Sequence, residues 1–282
     1  MTIREAINKA SIQLKMNKID SPKLKARLLM QFILNQTRQY LIVYDEKKLT
    51  QVQEEKYFKE INKLIKGNPL QHITHQQEFM KMNFYVNQDV LIPRPDTEVL
   101  VEEVIKIAKK INAKKILDLC TGSGAIAVSL AKYIEGSQIT ATDISEEALT
   151  IAEINAKNNG VDKKIAFLQS DLFEDLPKEK YDIIVSNPPY IKKEIMKTLD
   201  KEVQEEPHIA LDGGYDGLDF YRKIIHQAYE FLKYKGYLCL EIGYDQKIDV
   251  IELIEKEEKY VDTYGKKDLY GNDRVVITKV GD

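Results

Sequence analysis

Apolar residues in the first 75 positions recur at three- and four-residue spacing, which is the pattern of amphipathic helices. Thr2 is placed to cap a first helix. Ser21 followed by Pro22 marks the start of a second, because serine caps helices and proline suits their first position. A third helical pattern covers about 51–65. No strand-like segment alternates with these helices, so residues 1–75 are predicted to form a small all-α bundle.

The next segment, 76–93, changes to aromatic and β-branched residues. Within it, residues 79–92 contain a turn-forming Asn-Gln-Asp at 87–89, so they predict a short β-hairpin. Pro93 and Pro95 then exclude regular structure and stiffen the chain. We therefore expect the hairpin to link the helical bundle to a second domain that begins at residue 94.

From residue 94 to residue 282, strand-like and helix-like segments alternate. Such alternation predicts an α/β domain in which a parallel sheet carries helices on both faces. The last two strands are joined by the turn-forming residues Tyr270-Gly-Asn-Asp273, so they should form an antiparallel pair. The predicted strands cover 115–120, 138–143, 165–169, 181–186, 237–242, 260–266 and 274–280, and the predicted helices cover 97–112, 124–133, 146–158, 218–234 and 247–257.

Charge is distributed unevenly along the 282 residues. Residues 1–75 carry 14 Lys and Arg against 7 Asp and Glu, whereas the remainder carries 28 against 38. This segregation favours two units that face different partners, and an acidic protein or a nucleic acid would suit the basic bundle. Two solvated surfaces that merely differ in charge are the alternative.

The hydropathy and the cysteine content argue against a membrane-spanning, a secreted and a disulfide-stabilised protein. No segment approaches the ~20 apolar residues that span a bilayer, and the N-terminus lacks the apolar run of a secretory signal. Cys120 and Cys239 cannot form a disulfide framework and lack metal-ligand spacing. We therefore expect a cytoplasmic protein with neither a metal ion nor a membrane contact.

A glycine-rich loop follows the first strand of the α/β domain, and a helix follows at once. Gly122 and Gly124 allow the backbone to pass close under a ligand, and Asp143 after the next strand can bind ribose hydroxyls. The spacing also matches the dinucleotide fingerprint, so a nicotinamide cofactor competes with S-adenosylmethionine. Asp118 favours S-adenosylmethionine, because its carboxylate would repel a pyrophosphate but can pair with the ammonium of a methionine moiety.

A third candidate contact follows the third strand. Leu172 can pack on the face of an adenine ring, and Asp171 can meet the edge of the ring or simply cap a turn. For the glycine loop itself, a tight strand–helix turn without a ligand is the structural alternative.

The segment Asn187-Pro-Pro-Tyr190 follows the strand predicted at 181–186 and should project over the cofactor. An amide or aromatic amino nitrogen is a weak nucleophile because its lone pair is delocalised. The Asn187 side-chain carbonyl and the Pro188 backbone carbonyl can accept both of its N–H bonds and aim the lone pair at a methyl group. Tyr190 can stack on a planar substrate. A proline-rich turn without chemistry is the alternative.

These residues resemble a known class of enzymes. Asn187-Pro-Pro-Tyr190 with Asp118-x-x-x-Gly122 resembles the amino-methyltransferases of the seven-stranded, Rossmann-like class I. Three further segments are similar to the release-factor glutamine methyltransferases, namely Leu91-Ile-Pro-Arg-Pro-Asp-Thr-Glu98, Glu205-Glu-Pro207 and Leu211-Asp-Gly-Gly-Tyr-Asp-Gly217. The resemblance implies a seven-stranded mixed sheet preceded by a small helical domain and a hairpin.

The resemblance also implies methylation of the glutamine amide, at N5, in the Gly-Gly-Gln motif of class 1 release factors. S-adenosylmethionine would be the methyl donor and S-adenosylhomocysteine the product. One departure is Cys120, where many members have glycine. The implied cofactor contacts are Asp118, Cys120, Thr121, Gly122, Ser123, Gly124, Asp143, Leu172 and Asn187, and the implied substrate contacts are Asn187, Pro188, Pro189, Tyr190, Arg94 and Thr97. For Arg94 and Thr97, linker rigidity and helix capping are the alternatives.

Several other functions remain open on the sequence. A DNA or RNA amino-methyltransferase shares the tetrapeptide but needs a large basic surface, which the acidic α/β domain does not offer. A methyltransferase of a ribosomal-protein glutamine, a nicotinamide oxidoreductase and a non-catalytic cofactor-binding adaptor are further alternatives. We expect a monomer whose partner is a release factor docked on residues 1–75, without stable binding to nucleic acid.

Overall fold

The structure is a computed structural model that describes residues 1–281 and divides into two compact units. The first unit contains residues 1–75 together with 200–205, and the second contains 76–199 and the chain from residue 206 onward. No helix within the described residues is both long and apolar enough to cross a membrane.

The first unit is a helical bundle around one apolar core. Tyr57 crosses this core, and its buried hydroxyl donates to the Ala26 carbonyl at 2.9 Å. A single helical turn, Lys201–Gln204, belongs to the same unit, where Glu202 forms an ion pair with Lys25. Two short helices, Arg38–Val43 and Leu70–Thr74, were not expected from the sequence pattern. The bundle helices are α1 Ile3–Met16, α2 Pro22–Leu34, α3 Arg38–Val43, α4 Gln51–Lys66 and α5 Leu70–Thr74.

The helix starts of the bundle are stabilised in different ways. Thr2 forms a capping box with Glu5, and Thr50 forms one with Gln53, so the prediction for Thr2 is confirmed. The prediction that the Ser21 side chain caps α2 was wrong. Ser21 has a left-handed backbone with φ of 47°, and its side chain makes no capping hydrogen bond.

The second unit begins with the expected β-hairpin, but its turn lies elsewhere than predicted. Strands β1 Gln77–Phe79 and β2 Met82–Phe84 pair through a two-residue turn at Met80 and Lys81. Both turn residues have positive φ, 49° and 58°, which hairpin turns of this length require and which asparagine and glycine usually supply. The sequence Asn87–Asp89 instead forms a separate turn after the hairpin, in which the Asn87 side chain accepts from the Asp89 amide.

The main sheet has seven strands in the order β5-β4-β3-β6-β7-β9-β8. The first five of these are parallel, and β9 pairs antiparallel with both β7 and β8. The expected seven-stranded mixed sheet with a final antiparallel pair is therefore confirmed. The strands are β3 Lys115–Leu119, β4 Gln138–Asp143, β5 Ile165–Gln169, β6 Tyr181–Ser186, β7 Leu232–Glu241, β8 Tyr260–Lys267 and β9 Asp273–Val280.

Helices cover both faces of this sheet, because alternate strand residues point to opposite sides. Ile116 and Ile183 join the core on the face covered by the helices that begin at Thr97 and Ala125, whereas Leu117 and Ile184 join the core on the face covered by those that begin at Asp219 and Lys247. Strands buried on both faces are apolar nearly throughout, which is why their positions could be read from the sequence. The helices are α6 Thr97–Ile111, α7 Ala125–Tyr133, α8 Glu146–Asn158, α9 Asp219–Phe231 and α10 Lys247–Glu255, with 3-10 turns at Asp162–Lys164, Met196–Thr198 and His208–Ala210.

Candidate active site

A cavity of about 170 Å³ opens at the carboxyl ends of the parallel strands, where open α/β sheets bind their ligands. It lies within the second unit. Of the residues predicted to bind cofactor or substrate, six line it: Cys120, Gly122, Asp143, Leu172, Asn187 and Pro189. The sequence did not point to the apolar wall that completes it, which includes Val90, Leu91, Pro207, Ile209 and Phe220.

Asp118 is fully buried near the end of β3 and has one oxygen satisfied and one not. Its Oδ2 accepts from the Thr121 hydroxyl at 2.7 Å and from the Ala127 amide at 3.1 Å. Its Oδ1 has no hydrogen-bond partner among the described residues. Burial raises the pKa of Asp118 to about 7, and the two hydrogen bonds only partly oppose that rise. The side chain is therefore an incomplete acceptor site that a cationic donor would complete.

The glycine loop is shaped by its contacts with β4 and α8. The Gly122 amide donates to Asp143 Oδ2 at 2.8 Å, and the Ser145 amide donates to Asp143 Oδ1 at 3.0 Å. Gly124 has φ of 77° and passes so close to Ala152 that an added Cβ would come within 2.9 Å of the alanine methyl. Asp143 thus faces the cavity with lone pairs to spare, and its pKa is raised by burial.

Two cavity residues adopt left-handed backbone although neither is glycine. Cys120 has φ of 58° and Leu172 has φ of 52°. Such conformations cost roughly 1–2 kcal/mol for a residue with a Cβ, and strained backbone of this kind concentrates at functional sites. The Cys120 position therefore suits the glycine that many members of the resembling family have there.

The Asn187–Tyr190 segment leaves β6 and is held by a second loop. The Ile191 amide donates to the Leu211 carbonyl at 2.9 Å, and the Gly213 amide donates to the Ile191 carbonyl at 2.9 Å. A Cβ on Gly213 would come within 2.6 Å of the Tyr190 Cα, so only glycine permits this approach. The glycine-rich motif at 211–217 thus supports the tetrapeptide from behind.

The four tetrapeptide residues face different surroundings. Asn187 and Pro189 line the cavity, whereas Pro188 does not. Tyr190 packs against the core under α9 and α10, and burial raises the pKa of its hydroxyl well above the ordinary range. The Tyr190 carbonyl accepts from Gln246 Nε2 at 3.0 Å.

Thr97 and Arg94 are both held near the tetrapeptide, by different partners. Thr97 is the first residue of α6 and makes no capping hydrogen bond, so the alternative that it caps this helix is not supported. Its hydroxyl instead accepts from Asn187 Nδ2 at 3.4 Å. Arg94 forms an ion pair with Glu206, and Glu206 also accepts from the Ile92 amide at 2.9 Å. Arg94 therefore stiffens the segment that leads into α6.

One acidic residue of this site was missed by the sequence reasoning. Glu241 ends β7 and is 1% exposed, and the polar side chains of Thr97 and Asn187 lie close enough to lower its pKa. Its signal was present, because a single acid ends an apolar strand there just as Asp143 ends β4. No glycine-rich loop accompanies Glu241, however, so the sequence did not mark it as a site residue.

Comparison with known proteins places this architecture in a family. Residues 5–74 match the PrmC N-terminal domain, and residues 95–214 match the methyltransferase small domain. A release factor glutamine methyltransferase from Clostridium acetobutylicum is 39% identical to the chain over 284 residues, covering 100% of this chain and 99% of that protein. The chain belongs to the release factor glutamine methyltransferase family. A release factor glutamine methyltransferase from Buchnera aphidicola is 40% identical over 99% of each protein.

The membership confirms that this protein is a methyltransferase, as the resemblance implied. A solved methyltransferase from Pyrococcus furiosus is only 17% identical but superposes with a TM-score of 0.52 over 79% of this chain and 99% of that chain, which supports the fold. Release factor glutamine methyltransferases match the chain from end to end, so a nicotinamide oxidoreductase is no longer a competing interpretation.

Proposed function

We propose that this protein transfers a methyl group from S-adenosylmethionine to the side-chain amide nitrogen of the glutamine in the Gly-Gly-Gln motif of class 1 peptide chain release factors. The observation that carries the proposal is Asn187-Pro-Pro-Tyr190 at the carboxyl end of β6, where Asn187 and Pro189 line a cavity that Asp143 also lines. The relatives that match the whole chain are named for release factor glutamine methylation.

The residues around the cavity fit S-adenosylmethionine. Asp118 does not line the cavity itself, but it lies two residues before Cys120, which does, and its unpaired Oδ1 suits the ammonium of the methionine moiety. Asp143 retains acceptor capacity for two ribose hydroxyls. Leu172 lines the cavity where it can cover one face of the adenine. Bound S-adenosylmethionine supplies an electrophilic methyl group on a positively charged sulfur.

The tetrapeptide would orient the attacking nitrogen. The Asn187 side-chain carbonyl and the Pro188 backbone carbonyl accept the two N–H bonds of the glutamine amide, which favours a pyramidal nitrogen with its lone pair directed at the methyl carbon. The nitrogen–carbon bond forms as the carbon–sulfur bond breaks, and the electron pair of the broken bond stays on sulfur. The methylated nitrogen then loses one proton to water. Positioning and fixed dipoles, rather than a strong base, account for the rate.

A groove in the helical unit is suited to the release factor. It has a volume of about 700 Å³, and its lining includes the apolar side chains of Leu24, Leu28 and Leu41. Three of its cations, Lys23, Arg27 and Arg38, make no ion pair within the described residues, whereas Arg4 is paired with carboxylates. Unpaired cations beside apolar side chains match an acidic protein surface with apolar anchors.

The proposal is tested by a methyl-transfer assay with labelled S-adenosylmethionine. Unmodified release factor, duplex DNA and ribosomal RNA are offered side by side, with the Asn187→Ala variant as control. We expect label on the release-factor glutamine and its loss in the variant. Label on nucleic acid alone would retain the chemistry but reject the proposed substrate. Absence of label on every substrate would reject the proposed transfer and favour a non-catalytic adaptor.

A further inference from the structure

Glu241 is a carboxylate buried beside Asn187. It is 1% exposed, and its Oε2 has no hydrogen-bond partner among the described residues. A buried, incompletely paired carboxylate is costly, and an apolar side chain of similar volume would usually be at least as stable there. A contribution to stability therefore does not explain why a glutamate stands here. Its neighbours Thr97 and Asn187 indicate a role in the active site instead.

Glu241 lies beside Asn187 because Ser186 pairs with Leu240 in the parallel sheet and the next residue of each strand follows in register. A carboxylate only accepts, so it favours the hydroxyl hydrogen of the nearby Thr97 and the NH₂ end of the Asn187 amide. The Thr97 hydroxyl in turn accepts from Asn187 Nδ2 at 3.4 Å. Both acceptors demand the NH₂ end of the Asn187 amide. The carbonyl end is left free to face the cavity.

That orientation matters because the two ends of an asparagine amide have nearly the same shape and opposite hydrogen-bonding character. With the carbonyl toward the cavity, Asn187 accepts an N–H bond from the substrate amide. With the amide flipped, two N–H donors would face the N–H bonds of the substrate, and the nitrogen lone pair would be misdirected.

We propose that Glu241 is a positioning residue that holds the Asn187 side chain in its accepting orientation, directly and through the hydroxyl of Thr97. This inference rests on the proposed function, since it assigns the accepting end of Asn187 to a substrate nitrogen. It concerns orientation alone, because Glu241 itself does not line the cavity.

The groups around Glu241 determine the pH at which its side chain ionises. Burial raises its pKa to about 7, while the nearby Thr97 and Asn187 side chains and the positive charge of Arg274 oppose that rise. Asp96, at the start of α6, raises it further. Tyr190 and Tyr221 also lie within electrostatic reach, and the Tyr221 hydroxyl donates to the Glu241 carbonyl at 2.9 Å.

The test compares conservative variants by steady-state kinetics on a release factor that the wild-type protein methylates. We expect Glu241→Gln and Thr97→Val each to lower kcat by about tenfold, because an uncharged or missing acceptor no longer selects one orientation of Asn187. KM for both substrates should stay within about twofold. Thr97→Ser keeps the hydroxyl and should keep kcat. The variant that carries both Glu241→Gln and Thr97→Val should have a kcat no lower than that of the more impaired single variant, as expected for two parts of one network.

Two further measurements separate positioning from a merely structural role. At pH 8 the thermal midpoint of Glu241→Gln should equal or exceed that of wild type, because the substitution removes a buried charge. With both substrates saturating, kcat of the wild type should fall below pH about 7 and this fall should be absent in Glu241→Gln. Full kcat in Glu241→Gln, or a loss of kcat that simply follows a lowered midpoint, would overturn the inference.

The same experiment distinguishes the two proposals. If the wild-type protein methylates no release factor, the proposed function fails before the variants are compared. If it methylates the release factor and Glu241→Gln does so equally well at every pH, the function stands and the positioning role of Glu241 is rejected.

Discussion

Three acidic side chains lie at or near the carboxyl ends of parallel strands and define the chemistry of this site. Asp118 belongs to β3, Asp143 ends β4 and Glu241 ends β7. Asp118 and Glu241 are almost wholly buried, and burial raises the pKa of each to about 7. Both therefore change charge near neutral pH, which makes each residue testable by titration.

Asp118 should make cofactor binding depend on pH. A raised folded-state pKa means that the folded protein binds more protons than the unfolded chain between about pH 4 and 7, so this group makes folding less favourable as pH rises through that window. An ammonium partner needs the ionised form. We therefore expect the Kd of S-adenosylmethionine to tighten by about tenfold between pH 6 and 8.

Calorimetric titrations at several pH values measure this change directly. Asp118→Asn is the matched control, because it retains the shape and a hydrogen-bond acceptor without the charge. It should bind more weakly at pH 8, and its affinity should not rise between pH 6 and 8. Wild-type affinity that is constant over this interval would contradict the assigned ammonium contact.

The left-handed backbone at Cys120 should make glycine the more stable replacement there. Its φ of 58° penalises any residue with a Cβ, so Cys120→Gly should be more stable than Cys120→Ala by up to about 1 kcal/mol. At a right-handed position the order would be reversed. Urea unfolding of the two variants gives the comparison, and a glycine variant clearly less stable than the alanine variant would argue against the left-handed conformation.

At the scale of elements, helix starts decide how the bundle is stabilised. Thr50→Ala removes a capping box at α4 and should lower the free energy of unfolding by about 1 kcal/mol. Ser21→Ala, at the start of α2, should change it by no more than about 0.3 kcal/mol, because that side chain makes no capping bond. Thermal unfolding of both variants compares two helix starts that look alike in the sequence. Equal losses would mean that Ser21 does cap its helix.

The hairpin illustrates why element boundaries escaped the sequence. Its turn at Met80 and Lys81 lacks the usual turn residues, and contacts from elsewhere stabilise it. Glu98 accepts from the Met80 amide at 2.7 Å, and the Tyr133 hydroxyl donates to the Met80 carbonyl at 2.7 Å. Phe79 and Phe84 pack edge to face on either side of the turn, with ring centroids 6.0 Å apart. Tertiary contacts here prevail over local turn propensity.

In the whole molecule, the excess positive charge of the helical unit includes three cations that line its groove, Lys23, Arg27 and Arg38. Replacing Lys23, Arg27 and Arg38 together by glutamine should lower kcat/KM for intact release factor by about tenfold, because steering and rim contacts are lost. The Kd of S-adenosylmethionine should not change, since the cofactor cavity lies in the other unit. Added salt should reduce the rate of the wild type more than that of the variant.

The control for this prediction removes the same charge from another surface. Lys15, Lys59 and Lys66 are exposed residues of the same unit that do not line the groove. Replacing these three by glutamine should leave kcat/KM within about twofold of wild type. If both triple variants lose activity equally, net charge rather than the groove governs docking.

The sequence by itself determined the fold class, the order of the strands along the chain and the segments of the site that carry their own local signal. Buried parallel strands are apolar throughout, glycines mark the loop under the ligand, and Asn187-Pro-Pro-Tyr190 forms a contiguous motif, so each could be recognised without its surroundings. The cofactor and substrate roles of the individual residues remain predictions.

Only the tertiary structure decided which distant residues meet. Thr97, Asn187 and Glu241 come from three separate elements and form one network. Residues 200–205 join the helical unit although more than a hundred residues separate them from it in sequence. No local periodicity encodes such contacts, because they depend on strand order and on the packing of side chains brought together by the fold.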